Sequence, residues 1–147
     1  MNETLRGRAL KLLARREHTR AELARKLAVD AQDPAEIEAV LGEFEKRGWL
    51  SEKRVVEQRV HTLRKRFGTR RIERDLRQKG VSEEAVAAAL PGLKRGELDA
   101  AREVWRRKFG GRIPRTPAER ARQARFLQGR GFDLELIMKI FRGADDE

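Results

Sequence analysis

Apolar residues recur at helical spacing almost from the start of the chain. Leu5, Ala9, Leu12 and Leu13 fall at i, i+4, i+7 and i+8, one stripe on a 3.6-residue period. Thr19-Arg20-Ala21-Glu22 has the form of a capping box, in which the hydroxyl accepts from the third backbone N–H and the carboxylate returns the bond. It predicts a helix whose inward contacts are Leu23 and Leu27. Asp33-Pro34-Ala35-Glu36 opens another, with Asp as N-cap and Pro at the first position, where its missing donor does no harm. Ile37, Val40, Leu41 and Phe44 form its stripe, and Gly48 suits its stop. Alternating strand patterns are absent and Val/Ile/Thr-rich runs are few. The pattern predicts an all-α chain.

The pattern also repeats. A shift of 49 residues carries Leu23 onto Ile72, Leu27 onto Leu76, Ile37 onto Val86, Val40 onto Ala89, Leu41 onto Leu90 and the cap Asp33 onto Ser82. A further shift of 51 carries Leu76 onto Leu127, Gly80 onto Gly131, Ser82 onto Asp133, Val86 onto Ile137 and Leu90 onto Phe141. Each unit opens with an amphipathic helix, through Val56, Val60, Leu63 and Phe67 in the second and Leu98, Ala101, Val104, Trp105 and Phe109 in the third. The expectation is three tandem three-helix repeats at 1–50, 51–92 and 93–147, the last ending in an acidic tail of Asp145, Asp146 and Glu147. Gly48-Trp49-Leu50-Ser51 and Pro91-Gly92-Leu93-Lys94-Arg95-Gly96 read as linkers. Residues 110–116 read as a loop before a capping box at Thr116-Pro117-Ala118-Glu119. A unit of about 40 residues has too small a core to stand firmly alone, so each should lean on its neighbours in an elongated array.

Composition supports thin helical layers rather than one thick core. Hydrophobic residues make up 39% and charged residues 40% of the 147, against the usual ~45–50% and ~25%. The chain has no Cys, which excludes disulfides, thiolate metal sites and cysteine nucleophiles. Its two histidines, His18 and His61, have no ligand-spaced companions and read as surface or helix-end residues. Lys108-Phe109-Gly110-Gly111-Arg112 lacks the spacing and the Ser/Thr of a phosphate loop, so it reads as a helix stop and turn. No catalytic residue, metal ligand or cofactor is expected. Without an 18-residue apolar run or a signal-like start, the chain is expected to be cytoplasmic, with no membrane partner. A monomer is expected as well.

Charge points to the partner. Lys and Arg number 35 against 24 Asp and Glu, a net of +11. Residues 1–52 carry 10 of each sign, whereas 53–92 carry 11 basic and 5 acidic groups and 93–147 carry 14 and 9. Eight cations lie in one run: Arg64, Lys65, Arg66, Arg70, Arg71, Arg74, Arg77 and Lys79. Arg70, Arg74 and Arg77 share a helix face opposite Ile72 and Leu76, with only Glu73 and Asp75 as acids inside the run. Arginine's planar donors suit phosphate or carboxylate. Arg102, Arg106, Arg107 and Lys108, continuing through Arg112 and Arg115, form a second cluster, interleaved with Trp105 and Phe109. Trp105 continues an apolar stripe and reads as core, while Trp49 and Phe132, each following a glycine, read as plugs at helix ends.

Three segments resemble the RecX family. Gly48-Trp49-Leu50-Ser51-Glu52-Lys53-Arg54 resembles that family's GWLDDER segment. Gly68-Thr69-Arg70-Arg71-Ile72-Glu73-Arg74-Asp75-Leu76-Arg77-Gln78-Lys79-Gly80 resembles G-x-R-R-I-x-x-E-L-x-x-K-G. Arg125-Phe126-Leu127-Gln128-Gly129-Arg130-Gly131-Phe132 resembles R-F-L-x-x-R-G-F. The chain departs from the pattern at Ser51 and Glu52, where the family has two Asp, at Val55 in place of an aromatic, and at Ala31 in place of Gly. The resemblance implies a bacterial regulator of RecA recombinase that lies in the groove of the RecA filament on single-stranded DNA. It also implies restraint of filament growth, ATP hydrolysis, strand exchange and co-protease activity, with no catalytic residues. Read from the residues alone, two alternatives stay open: an autonomous helix-turn-helix-like duplex binder, and a non-specific nucleic-acid-binding protein held by the same basic surface. Against the first, residues 83–90 offer no Arg, Lys, Asn or Gln to read base edges.

Overall fold

The computed structural model describes residues 4–29, 31 and 33–143, and the acidic tail of Asp145, Asp146 and Glu147 lies outside the described residues. Among them the chain forms nine α-helices and no strand: α1 (Leu5–Arg15), α2 (Arg20–Ala28), α3 (Pro34–Lys46), α4 (Glu52–Leu63), α5 (Thr69–Gln78), α6 (Glu83–Arg95), α7 (Glu97–Phe109), α8 (Pro117–Gly129) and α9 (Leu134–Phe141). Each consecutive trio closes on its own core. Ala9, Leu23, Leu27, Leu41 and Phe44 fill the first, Val55, Ile72, Leu76, Val86 and Leu93 the second, and Ala101, Trp105, Leu127, Phe132 and Ile137 the third. The accessible surface is 9629 Å², where a compact monomer of this mass would expose roughly 7,700 Å². The excess is what three small cores in a row require.

Local chemistry starts most helices where the sequence predicts. Thr19 and Glu22 complete the reciprocal capping box of α2, Asp33 accepts from the Ala35 N–H at 3.0 Å, and Ser51 and Ser82 cap α4 and α6. At α8 the return bond comes one residue early. Thr116 accepts from the Glu119 N–H, but Glu119 accepts from the Arg115 N–H at 2.8 Å. Asp133 forms no cap for α9, because its carboxylate is turned to Arg70.

Four expectations change or are sharpened. Pro91-Gly92-Leu93-Lys94-Arg95 is the last part of α6 and not an extended linker. Pro91 forfeits one backbone bond, yet the helix continues because Leu93, 4% exposed, is drawn into the second core. His18 does stand at a helix end, one residue before the α2 cap, but it is buried, whereas His61 is exposed. Trp49 does not plug the first unit: it is 39% exposed, edge-on to Phe44 at 5.3 Å and flanked by Arg6 and Arg47, and Leu50 enters the core instead. In the second unit the buried valine of α4 is Val55, with Val56 and Val60 at the margin. Phe132 and Trp105 are buried as expected, with the Trp105 indole N–H donating to Gln123 Oε1 at 2.8 Å.

The units are joined by one device used twice. The residue capping the second helix of one unit meets the glycine turn after the second helix of the next. Thr19 Oγ1 donates to the Lys79 carbonyl, and the Gly68 N–H donates to the Arg130 carbonyl at 2.7 Å. Gly80 and Gly131 have φ of +88° and +98°, which favours glycine. A Cβ on Gly80 would meet Ala21 Cβ at 2.5 Å, and one on Gly131 would meet Arg71 Cβ at 2.6 Å. Ala31, at the equivalent place in the first unit, has no positive φ, so the turn there accepts a side chain.

Candidate nucleic-acid interface

Helix α5 turns Arg70, Arg74 and Arg77 outward because Thr69, Ile72 and Leu76 are buried. Tertiary neighbours supply acids that a count along the helix misses. Arg77 pairs with Glu73 and Glu83, each at 3.0 Å, and the hydrogen bond to Glu83 is the chief reason its pKa rises. Arg70 pairs with Asp133 of the third unit at 2.9 Å. Asp75 bonds Arg59 of α4 through both oxygens. Arg74 alone of this face has no ion pair among the described residues. The face is therefore partly neutralised.

Two residues of the basic run serve the joints. Arg64 is half-buried and donates to the Leu93 carbonyl and to Thr69 Oγ1, and burial lowers its pKa against the pull of Glu97. Lys79 is half-buried where its carbonyl receives Thr19. Its ammonium also acts on Glu22. Burial alone would push that carboxyl up, but the Thr19 N–H and Arg16, with Lys79 beyond, outweigh it and hold the pKa down.

The remaining cations gather where the second and third units meet. The Phe67 ring has Arg71 at 4.6 Å, Arg130 at 5.5 Å and Arg66 at 5.6 Å from its centroid. Arg130 also lies 4.9 Å from the Phe126 centroid, and Lys108 Nζ lies 5.2 Å from the same ring. Phe126 meets Phe109 edge-on at 5.5 Å. Arg107 donates to the Lys65 carbonyl, which sets both residues beside this strip. The negative ring faces hold like charges side by side without carboxylates. Among the described residues none of Lys65, Arg66, Arg71, Arg107, Lys108 and Arg130 forms an ion pair, and Arg106 lies exposed on the same last turn of α7. The strip leads into a cleft of about 940 Å³ lined by Lys108, Phe109, Gly110, Gly111, Arg112, Ile113, Arg115, Glu119, Arg122 and Gln123.

Most of these cations belong to the two basic clusters of the sequence, whereas Arg122 and Arg130 lie outside them. The repeat holds the signal for Arg130, since a shift of 51 carries Lys79 onto it. The departures at Ser51 and Glu52 have structural roles here. Ser51 caps α4, and Glu52 accepts from the Ser82 N–H at 2.8 Å and from its hydroxyl at 2.9 Å.

The fold and surface define a tandem three-helix-repeat protein with a cationic strip across one joint. Residues 6–44, 51–90 and 96–141 match the first, second and third three-helix domains of RecX. The chain belongs to the RecX family. It is 52% identical to the regulatory protein RecX of Leptothrix cholodnii over 144 residues, covering 98% of this chain and 91% of that one. It is 42% identical to the regulatory protein RecX of Ralstonia nicotianae, covering 97% and 89%. The crystal structure of RecX from Lactobacillus salivarius superposes with a TM-score of 0.81 at 17% identity, over 96% of this chain and 94% of that one. No helix of the described residues is long and apolar enough to cross a membrane.

Proposed function

We propose that this chain binds the RecA recombinase filament on single-stranded DNA and restrains filament growth, ATP hydrolysis, strand exchange and co-protease activity, without chemistry of its own. The observation that carries the reading is the contrast in charge pairing along the array. In the first unit several cations are matched to acids at close range: Arg6 to Glu43 at 2.8 Å, Arg20 to Glu38 at 2.8 Å and Arg47 to Glu43 at 2.8 Å. At the joint of the second and third units Arg70 pairs with Asp133, but among the described residues Lys65, Arg66, Arg71, Arg107, Lys108 and Arg130 carry no such partner. Unpaired cations on an elongated body suit a long polyanion, and phosphate attraction of this kind is independent of sequence. The neutral first unit is then free for contacts with protein. Membership of the RecX family supports the choice of recombinase.

The test is a titration of this protein into single-stranded-DNA-dependent ATPase and strand-exchange assays of a bacterial RecA. Dose-dependent inhibition below one protein per recombinase supports the proposal, and no effect on an assembled filament at low salt overturns it. Sequence-selected binding to duplex in competition would instead favour the helix-turn-helix alternative.

A further inference from the structure

We infer that the cleft beside the Gly110–Gly111 turn is a built site for a phosphodiester and its nucleoside within single-stranded nucleic acid. This rests on the nucleic-acid side of the function proposed above and deepens it by saying where the strand is gripped.

The cleft combines charge, rigidity and an apolar wall. Lys108, Arg112, Arg115 and Arg122 line it, and none forms an ion pair among the described residues. Among the described residues its one carboxylate, Glu119, already accepts from the Arg115 backbone N–H at 2.8 Å. Four cations against one engaged acid leave a strong local positive potential, and guanidinium groups meet phosphate oxygens two at a time.

The loop carrying these groups is held at both ends. Gln123, 4% exposed, donates through Nε2 to the Arg112 carbonyl at 3.1 Å and accepts from the buried Trp105 indole through Oε1. The Glu119 bond fixes the other end at Arg115. Arg112 and Arg115 therefore start from an ordered backbone, which lowers the ordering cost of binding. Gly110 and Gly111 have φ of +65° and +75°, and a Cβ on either would meet nothing within 4 Å. The turn thus needs glycine for its conformation, and it leaves the mouth clear of side chains.

Size and wall decide between anions. A volume of about 940 Å³ lies in the range of small-molecule sites, roughly 300–1,000 Å³, far more than one Asp or Glu side chain fills. Ile113, 41% exposed, and Phe109 add an apolar surface that a sugar and base can use and a free inorganic anion cannot. Lys108 belongs both to the cleft and to the Phe126–Arg130 strip, so a strand leaving the cleft meets the next cations without a gap.

The experiment uses the full chain, isotopically labelled, titrated at low salt with a short oligothymidylate and separately with inorganic phosphate, while the Gly110 and Gly111 amide resonances are followed. The oligonucleotide should shift both amides saturably, and phosphate at equal concentration should not. Arg112→Glu with Arg122→Glu should weaken oligonucleotide binding by about tenfold or more while leaving helicity unchanged. Arg112→Gln with Arg122→Gln gives the same reading, at smaller amplitude, if the reversed pair folds poorly. Unmoved glycine amides under saturating oligonucleotide, or full affinity in the double variant, overturn the site while the filament reading stands. Equal shifts with phosphate alone make it a free-anion site and overturn the nucleoside part. Absence of any binding by the unaltered chain to oligonucleotide and filament alike would sink the underlying reading.

Discussion

His18 shows how far one residue's environment can depart from its sequence context. It is 1% exposed, with Nδ1 3.0 Å from the Arg16 carbonyl and Nε2 3.0 Å from Lys26 Nζ. Those partners select the neutral ring protonated on Nδ1, donating to the carbonyl and accepting from the ammonium. Burial pushes its pKa below 6.5, opposed by the bond to the Arg16 carbonyl and aided by the Arg16 and Lys26 charges. A depressed folded value means that protonation favours the unfolded chain. The contribution of His18 to stability is complete above pH 6.5 and is lost as pH falls through the folded value. The urea midpoint should therefore drop as pH is lowered through this window. His18→Phe, the residue the second unit carries at the equivalent Phe67, should flatten that part of the profile. A dependence as steep as before in the variant would assign it to another group.

Between elements, α2 and α5 solve the same capping problem in opposite ways. Helix α2 uses its own Thr19 and Glu22. Helix α5 has Gly68 and Arg71 at those places, and its first N–H groups go to the third unit. Thr69 donates to buried Glu97 at 3.4 Å and Arg70 donates to the Gly131 carbonyl at 3.2 Å. The start of α5 is thus completed only when the joint closes, so the orientation of the two units is tied to backbone bonds. Gly131→Ala should open this joint, since the side chain would need both a left-handed φ and the space of Arg71 Cβ. A loss of about 1–3 kcal/mol is expected in denaturant unfolding. Amide exchange should quicken at Thr69 and Arg70 while α2 and α3 keep their protection. Uniform protection loss across all three units would contradict a local joint.

For the whole molecule, the decisive quantity is not the net charge of +11 but where charge is left unpaired. Six cations surround the joint strip: Lys65, Arg66, Arg71, Arg107, Lys108 and Arg130. If all six meet phosphates, the affinity for single-stranded DNA should fall with salt at a log–log slope of about −4. Arg71→Glu with Arg130→Glu should reduce that slope by about one to two, whereas Arg20→Glu in the ion-paired first unit should leave it unchanged. Fluorescence polarisation across a salt series checks both. A flat salt response would show that the strip does not face phosphate.

Much of this protein is legible in one dimension because its causes are local. Capping at Thr19, Asp33 and Thr116 involves residues within one turn, and the burial of Leu23, Ile72 and Leu127 follows from helical period and the repeat offset. So the sequence by itself determines nine helix-forming segments, their grouping in threes and the sign of the later surface. Tertiary structure decides whatever depends on neighbours far along the chain. Leu93 reaches the second core and carries α6 through Pro91. Asp133 leaves its cap for Arg70, and Glu83 neutralises part of a face that looked free. Phe67, Phe126 and Arg130 meet only when two units dock. Charge counted along a chain says how many cations there are; electrostatic pairing falls off over a few ångströms in space, so only the fold says which of them remain to bind.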